Sequence, residues 1–199
     1  DLRFTTSSGG EIPYWIENSN STAAVVWVKV PEISTTGTQI DVYYGNPNAL
    51  MSTSNGFSTF DYFDNFESGS TSQWTVDSGS SFTADSTQKY SGSYSGKYVH
   101  KSTPTQGGAV LPITSRSTGI VEYVLRPSSS SVYSYGNLLF GPPGGLKGTW
   151  LSFKNDGIIG NYNSVSWNNL QSYSAGSWYK VSLSVKNTQS YDISVNDVS

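Results

Sequence analysis

The stretch Ser177-Trp178-Tyr179-Lys180-Val181-Ser182-Leu183-Ser184-Val185-Lys186-Asn187 alternates bulky apolar side chains with small or charged ones. Successive side chains of an extended chain point to opposite faces, so Tyr179, Val181, Leu183 and Val185 share one face. Lys180, Ser182, Ser184 and Lys186 share the other, which describes a strand with one buried and one wet side. The same rhythm recurs outward from it. Ile120 to Arg126 shows it, and so does Thr149 to Lys154, with Leu151 and Phe153 set against Trp150, Ser152 and Lys154. Thr38 to Tyr44 sets Ile40, Val42 and Tyr44 against Gln39, Asp41 and Tyr43. Ala23 to Val30 is apolar apart from Lys29 and reads as a strand covered on both faces. Helical spacing is nearly absent, and Gly, Ser, Asn and Pro interrupt the runs at short intervals. These features predict an all-β chain folded as an antiparallel β-sandwich, with a smaller N-terminal β segment.

Composition supports a folded chain and narrows its chemistry. The 199 residues are 35% hydrophobic and 14% aromatic, enough for a core, and only 13% charged. There is no Cys, which removes thiolate zinc sites, thiol nucleophiles and disulfides. The single His, His100, is the sole imidazole a catalytic triad could use, and no Gly-x-Ser-x-Gly elbow accompanies it. A net charge of -3 with scattered Lys and Arg argues against a nucleic-acid partner. No apolar run reaches the ~20 residues of a membrane-crossing helix. The quoted chain opens on Asp1-Leu2-Arg3-Phe4 without a signal-peptide pattern, yet a charge-poor, Ser- and Tyr-rich surface lacking Cys points to an exported, extracellular protein. Asn20-Ser21-Thr22 is an N-glycosylation triplet, placing a candidate glycan on Asn20.

Turn chemistry organises the runs. Asn155-Asp156-Gly157 is expected to close a hairpin through a primed turn. Gly141-Pro142-Pro143-Gly144-Gly145 is expected to form an exposed loop, and Ser128 to Ser131 a flexible link. Neither Gly107-Gly108 nor Gly144-Gly145 carries the Lys and hydroxyl residue of a phosphate loop. The text changes near Thr59, after a Ser- and Asn-rich connector, which divides the chain into segments 1–58 and 59–199.

Four ordered motifs carry a resemblance. Asp1-Leu2-Arg3-Phe4, Pro13-Tyr14-Trp15-Ile16-Glu17, Val26-Trp27-Val28-Lys29-Val30-Pro31 and Tyr43-Tyr44-Gly45-Asn46-Pro47 together resemble a domain family of archaeal and bacterial surface proteins known only as a domain of unknown function. Further N-terminal strands normally precede the first motif in that family. Phe66-Glu67-Ser68-Gly69, Trp74, Ser91-Gly92-Ser93-Tyr94-Ser95 and Tyr191 to Val198 are similar to a concanavalin-like or laminin-G-like jelly roll, which often follows the first family. The resemblance implies a cell-surface protein. It also implies a structural Ca²⁺ held by Glu67, by carbonyls of Lys89 to Ser91 and by Asp192, whereas the residues alone read equally well as surface acids beside turns. Both ends read as lacking strands, which would leave edges able to pair with another chain.

Two kinds of side chain invite chemistry. Asp61, Asp64 and Glu67 crowd one short stretch, and glycosidases need two carboxyls roughly 5 to 9.5 Å apart. The Glu-x-Asp-x-Glu strand typical of concanavalin-like glycosidases is missing, and Asp61 and Asp64 differ in parity, so a non-catalytic reading is preferred. Among the aromatics, Trp150, Tyr162, Trp167 and Tyr173 are candidates for glycan contact, with Asn161, Asn163, Asn168 and Asn169 beside them to hydrogen-bond hydroxyls. The competing reading makes these rings part of a core. The sequence thus predicts a non-catalytic extracellular protein used for adhesion or glycan contact. Its rival is a structural subunit assembled into a filament or array through unpaired edge strands of neighbouring copies, and a glycosidase is the weakest alternative.

Overall fold

The computed structural model describes residues 2–49, 52–101, 107–114, 116–140, 147–162, 166–187 and 190–196; for 135–140, 147–150 and 187 it describes the backbone. The expected Gly141–Gly145 loop and Asn163 lie outside the described residues. Among the described residues nearly all regular structure is antiparallel β, and no sheet closes into a barrel. The chain divides into two compact units, Asp1–Leu111 and Pro112–Ser199, a division that falls well beyond the change of text near Thr59.

In the first unit the elements are β1 (Arg3–Thr6), β2 (Tyr14–Ser19), β3 (Ala24–Val28), β4 (Ile40–Tyr43), α1 (Gly56–Thr59), β5 (Thr75–Val76), β6 (Ser81–Asp85), β7 (Ser95–Val99) and β8 (Ala109–Val110). They pair as four two-stranded ribbons, β1 with β4, β2 with β3, β5 with β8 and β6 with β7. Both faces of the β2–β3 hairpin carry aromatic packing. Tyr14 is buried, its ring 5.2 Å from that of Phe4, and its hydroxyl donates to the Leu2 carbonyl at 2.6 Å. On the alternate positions Trp15 meets the edges of Phe60 and Phe63, and Trp27 meets Phe60. Phe60 and Phe63 are therefore part of the hairpin's packing. The run from Ala23 to Val30 is covered only in part, since Ala24 and Val25 near the turn are exposed.

The second unit holds β9 (Gly119–Leu125), β10 (Ser134–Phe140), β11 (Lys147–Phe153), β12 (Ile158–Tyr162), β13 (Trp167–Ser172), β14 (Tyr179–Asn187) and β15 (Ser190–Val195). A four-stranded sheet runs β10-β11-β12-β13 and a three-stranded sheet β15-β14-β9. Leu151, Phe153 and Ile159 of the first sheet meet Tyr179, Val181 and Val195 of the second in one buried cluster, which makes this unit a sandwich. The run from Ser177 to Asn187 behaves as its rhythm demands: Tyr179, Val181 and Leu183 are buried, while Lys180 on the other face pairs with Glu122 at 3.5 Å.

One turn departs from expectation. The β11–β12 hairpin closes at Lys154–Gly157, with the Gly157 amide donating to the Lys154 carbonyl at 3.2 Å. Gly157 has φ 78°, but neither Asn155 nor Asp156 is among the described non-Gly residues with positive φ. A primed turn needs positive φ at its central residues, so this is an ordinary turn followed by a glycine bulge. Asp156 accounts for the choice. Its Oδ1 accepts from the Ile158 amide at 3.1 Å and its Oδ2 from Lys154 Nζ at 2.8 Å, an arrangement that stabilises the non-primed form.

Candidate glycan-contact face

The site follows from strand register. Trp150 stands opposite Tyr162, and Tyr162 stands opposite Trp167, so three adjacent strands bring three aromatic residues into one row. Leu151, Phe153 and Ile159 occupy the core side, and by alternation Ser152, Lys154, Gly160 and Tyr162 occupy the other. The rings of Tyr162 and Trp167 lie 5.3 Å apart at 47°, and both are half-buried. The side chain of Trp150 lies outside the described residues, so its place in the row rests on backbone register.

Gly160 shapes the floor. A Cβ there would come within 3.2 Å of both Lys154 Cε and Trp167 Cε3, so the hydrogen in that position lets the lysine stem and the indole close over the strand. Lys154 is only 8% exposed, its apolar stem packed and its ammonium held by Asp156. The hydrogen bond from Lys154 holds the Asp156 carboxyl below the usual carboxylate range. Beneath the row, Ser152 is fully buried and its hydroxyl has no partner. Asn169, opposite Gly160, is exposed and able to reach a ligand hydroxyl. A tilted, partly exposed ring pair rimmed by an amide and an ion pair offers apolar surface to a saccharide's C–H face.

Tyr173 stands elsewhere. It is 8% exposed, packs edge-on against Phe153 and Tyr179, and its hydroxyl donates to the Lys154 carbonyl at 2.7 Å. It buttresses the turn from the core and offers no free ring face.

The acidic candidates occupy separate environments. Glu67 Oε1 accepts the amides of Ser93 and Tyr94 at 2.8 and 3.0 Å, and these backbone bonds, Tyr94's first, hold its carboxyl below the ordinary range. Gly92 makes the approach possible, since at φ +65° a Cβ would fall 2.4 Å from that oxygen. Asp192 lies on β15 in the second unit, exposed and paired with Lys186. Among the described residues no three acidic or His side chains stand together as a cation cluster. Asp64 accepts from the Phe66 amide and from Trp74 Nε1, while Asp61 sits 3.8 Å from Lys29. His100 is exposed, its ring 6.2 Å from that of Tyr98. Asn20 is exposed in the β2–β3 turn, and its Oδ1 accepts from the Thr22 amide, the Thr22 hydroxyl and the Ala23 amide.

Asp77 is not among the residues singled out from the sequence. Its carboxylate gathers the Tyr98 hydroxyl at 2.7 Å, the Ser80 hydroxyl at 2.8 Å and the Gly108 amide at 2.9 Å, with Lys101 at 3.7 Å. The Tyr98 bond leads the lowering of its pKa. A usable signal existed in Asp77-Ser78-Gly79-Ser80, a turn in which an acid is followed three residues on by a hydroxyl.

Comparison with known proteins adds one finding. Residues 1–77 match the family model described as Domain of unknown function (DUF2341). The match takes in the four motifs and continues through Phe60, Phe63 and Trp74, in keeping with the packing of Phe60 and Phe63 on Trp15. No curated protein and no solved structure matches the chain.

Proposed function

We propose that this chain is a non-catalytic, extracellular surface protein that contacts glycans through the outer face of β11–β13. The observation that carries the reading is the register Trp150–Tyr162–Trp167, which sets three aromatic residues side by side across adjacent strands. Stacking of sugar C–H faces on half-exposed rings needs such a row, and the amide of Asn169 supplies hydrogen bonding. The test is a glycan array probed with wild type, Trp167→Ala and Tyr162→Ala. Retention on a defined set of glycans, lost in both variants while their circular dichroism is unchanged, supports the reading; retention indifferent to both substitutions overturns it. A structural calcium ion enters only as a stabiliser of the fold: a melting point that falls on chelation and recovers with Ca²⁺ supports it, and an unchanged one removes it.

A second reading is favoured by the sheet edges. Among the described strands β13 and β15 each have one hydrogen-bonded neighbour, so each presents a free edge to a strand of another copy. Size-exclusion chromatography separates the readings, polymers supporting assembly and a monodisperse monomer the first proposal.

A further inference from the structure

A groove of about 480 Å³ opens in the second unit between β12–β13 and β14–β15, lined by Asn161, Asn168, Leu170, Ser184, Tyr191 and Asp192 among others. Asn161 alternates with Gly160 and Tyr162 and so lies on the opposite face of β12 from the aromatic row. Its side chain is 9% exposed; its Nδ2 donates to the Tyr191 hydroxyl at 3.1 Å, while its Oδ1 is buried with no hydrogen-bond partner. Leaving a buried amide oxygen unpaired costs about 1–3 kcal/mol, and native folds rarely leave one without a use. A single water occupies about 30 Å³ of liquid, far less than this groove, whose size is that of small-molecule sites.

We propose that this groove is a binding site for one unit of a neutral, hydroxyl-rich ligand, a saccharide ring, with the Asn161 and Asn168 carboxamides as its principal hydrogen-bonding groups. Charge selects the class. Asp192 is the acid of the lining and is neutralised by Lys186, so the groove offers no net charge to an anion or a cation. Carboxamides and hydroxyls both donate and accept, which matches sugar hydroxyls, and Leu170, 44% exposed, offers an apolar surface to ring C–H groups. Binding requires the Asn161 amide to turn so that its oxygen, buried in this structure, meets a ligand hydroxyl. The site rests on its own observation, the unpaired Asn161 oxygen, and stands or falls apart from the aromatic row.

The test is a titration of the ¹⁵N-labelled full chain with the methyl glycosides of glucose, galactose, mannose and N-acetylglucosamine, following the side-chain amide signals of Asn161 and Asn168. At least one glycoside is expected to move both pairs saturably. Asn168→Ala, an exposed edge position, is expected to weaken that binding about tenfold, as loss of one good hydrogen bond would. Trp167→Ala is expected to leave it within about twofold, which separates this groove from the aromatic face. No saturable movement with any of the four up to about 50 mM, well above the ~1 mM constant of a weak site, overturns the proposal. So does binding that is unchanged in Asn168→Ala. Asn161→Leu is expected to abolish the binding; should that chain fail to fold, the Asn168 variant still decides.

Discussion

The two units hold themselves together in different ways. The second is a sandwich with strands of five to nine residues whose alternate side chains fill one cluster, Phe153, Ile159 and Val181 fully buried among them. The first is a set of two-stranded ribbons, and isolated ribbons are marginal in water. Aromatic groups, Trp15 with Phe60 and Phe63, and Phe66 with Trp74 and Phe82, do part of the work there. Carboxylates do the rest by gripping loop backbone: Glu67 holds Ser93 and Tyr94, Asp77 holds Gly108, and Asp85 holds Thr87. One unit relies on a buried core between two sheets, the other on aromatic packing together with local polar clasps. The difference predicts where each is vulnerable.

The largest expected effect falls on the second unit. Phe153→Ala empties a fully buried ring site between Tyr173 and Tyr179 and is expected to cost about 3–5 kcal/mol. Denaturant unfolding should show the loss, and amide exchange should place it in β9 and β11–β15 more than in β2–β7. Equal loss in both sets of strands would erase the distinction between the units.

Next comes the clasp at Glu67. Gly92→Ala sets a Cβ against the carboxylate oxygen at a left-handed backbone position, and about 1–3 kcal/mol is expected to be lost. Glu67→Gln keeps the shape but weakens the acceptor, so it should fall in the same direction with a smaller shift in the melting point. A Gly92→Ala chain as stable as wild type would show that the loop is not held this way.

Acid provides a milder probe of the same contrast. Hydrogen bonds hold the carboxyls of Glu67, Asp77 and Asp85 below their ordinary values, led by Tyr94, Tyr98 and Thr87 respectively. The unfolded chain then takes up protons at a pH where the fold does not. The stability these groups add is complete above about pH 5 and is lost as pH falls through the unfolded value near 4 and then the lower folded values. In the second unit the lowered carboxyl among the described groups is that of Asp156. Amide exchange between about pH 6 and pH 3 should therefore open β6 and β7 before β14, and the reverse order would contradict the clasp account. The smallest effect is expected at Lys154→Met, which keeps the stem against Gly160 and removes the bond to Asp156; its stability should change by no more than about 1 kcal/mol.

Much of this contrast was readable from the chain, and unevenly. The β14 strand declared itself because burial on one face imposes a period of two, and Leu151 and Phe153 did likewise. The aromatic row needed one thing more, the register that sets Trp150 beside Tyr162 and Trp167, which depends on hairpins closing at particular residues. Tyr173 illustrates the limit. It has the same parity as Trp167 but turns inward, because the β12–β13 register skips Leu170 and reverses the alternation after Asn169, and its hydroxyl then reaches the Lys154 carbonyl nineteen residues away. The clasps were harder still, since an acid holding a distant loop amide, as Glu67 holds Ser93, leaves no periodic trace. The extent of the first unit was obscured for a related reason: Phe60 and Phe63 follow a Ser- and Asn-rich connector, yet aromatic packing ties them back to Trp15.

The glycan-contact proposal places ligand on the second unit, and the chain's six Trp residues report on both. The indole N–H signals of the ¹⁵N-labelled chain, assigned by single Trp→Phe variants, can be followed while a hexasaccharide of β-1,4-linked glucose, of β-1,4-linked N-acetylglucosamine or of mannose is added. The account predicts saturable movement of Trp150 and Trp167 with at least one of the three, with Trp15, Trp27 and Trp74 still. Movement confined to Trp15, Trp27 and Trp74, or no movement of any indole, would contradict it.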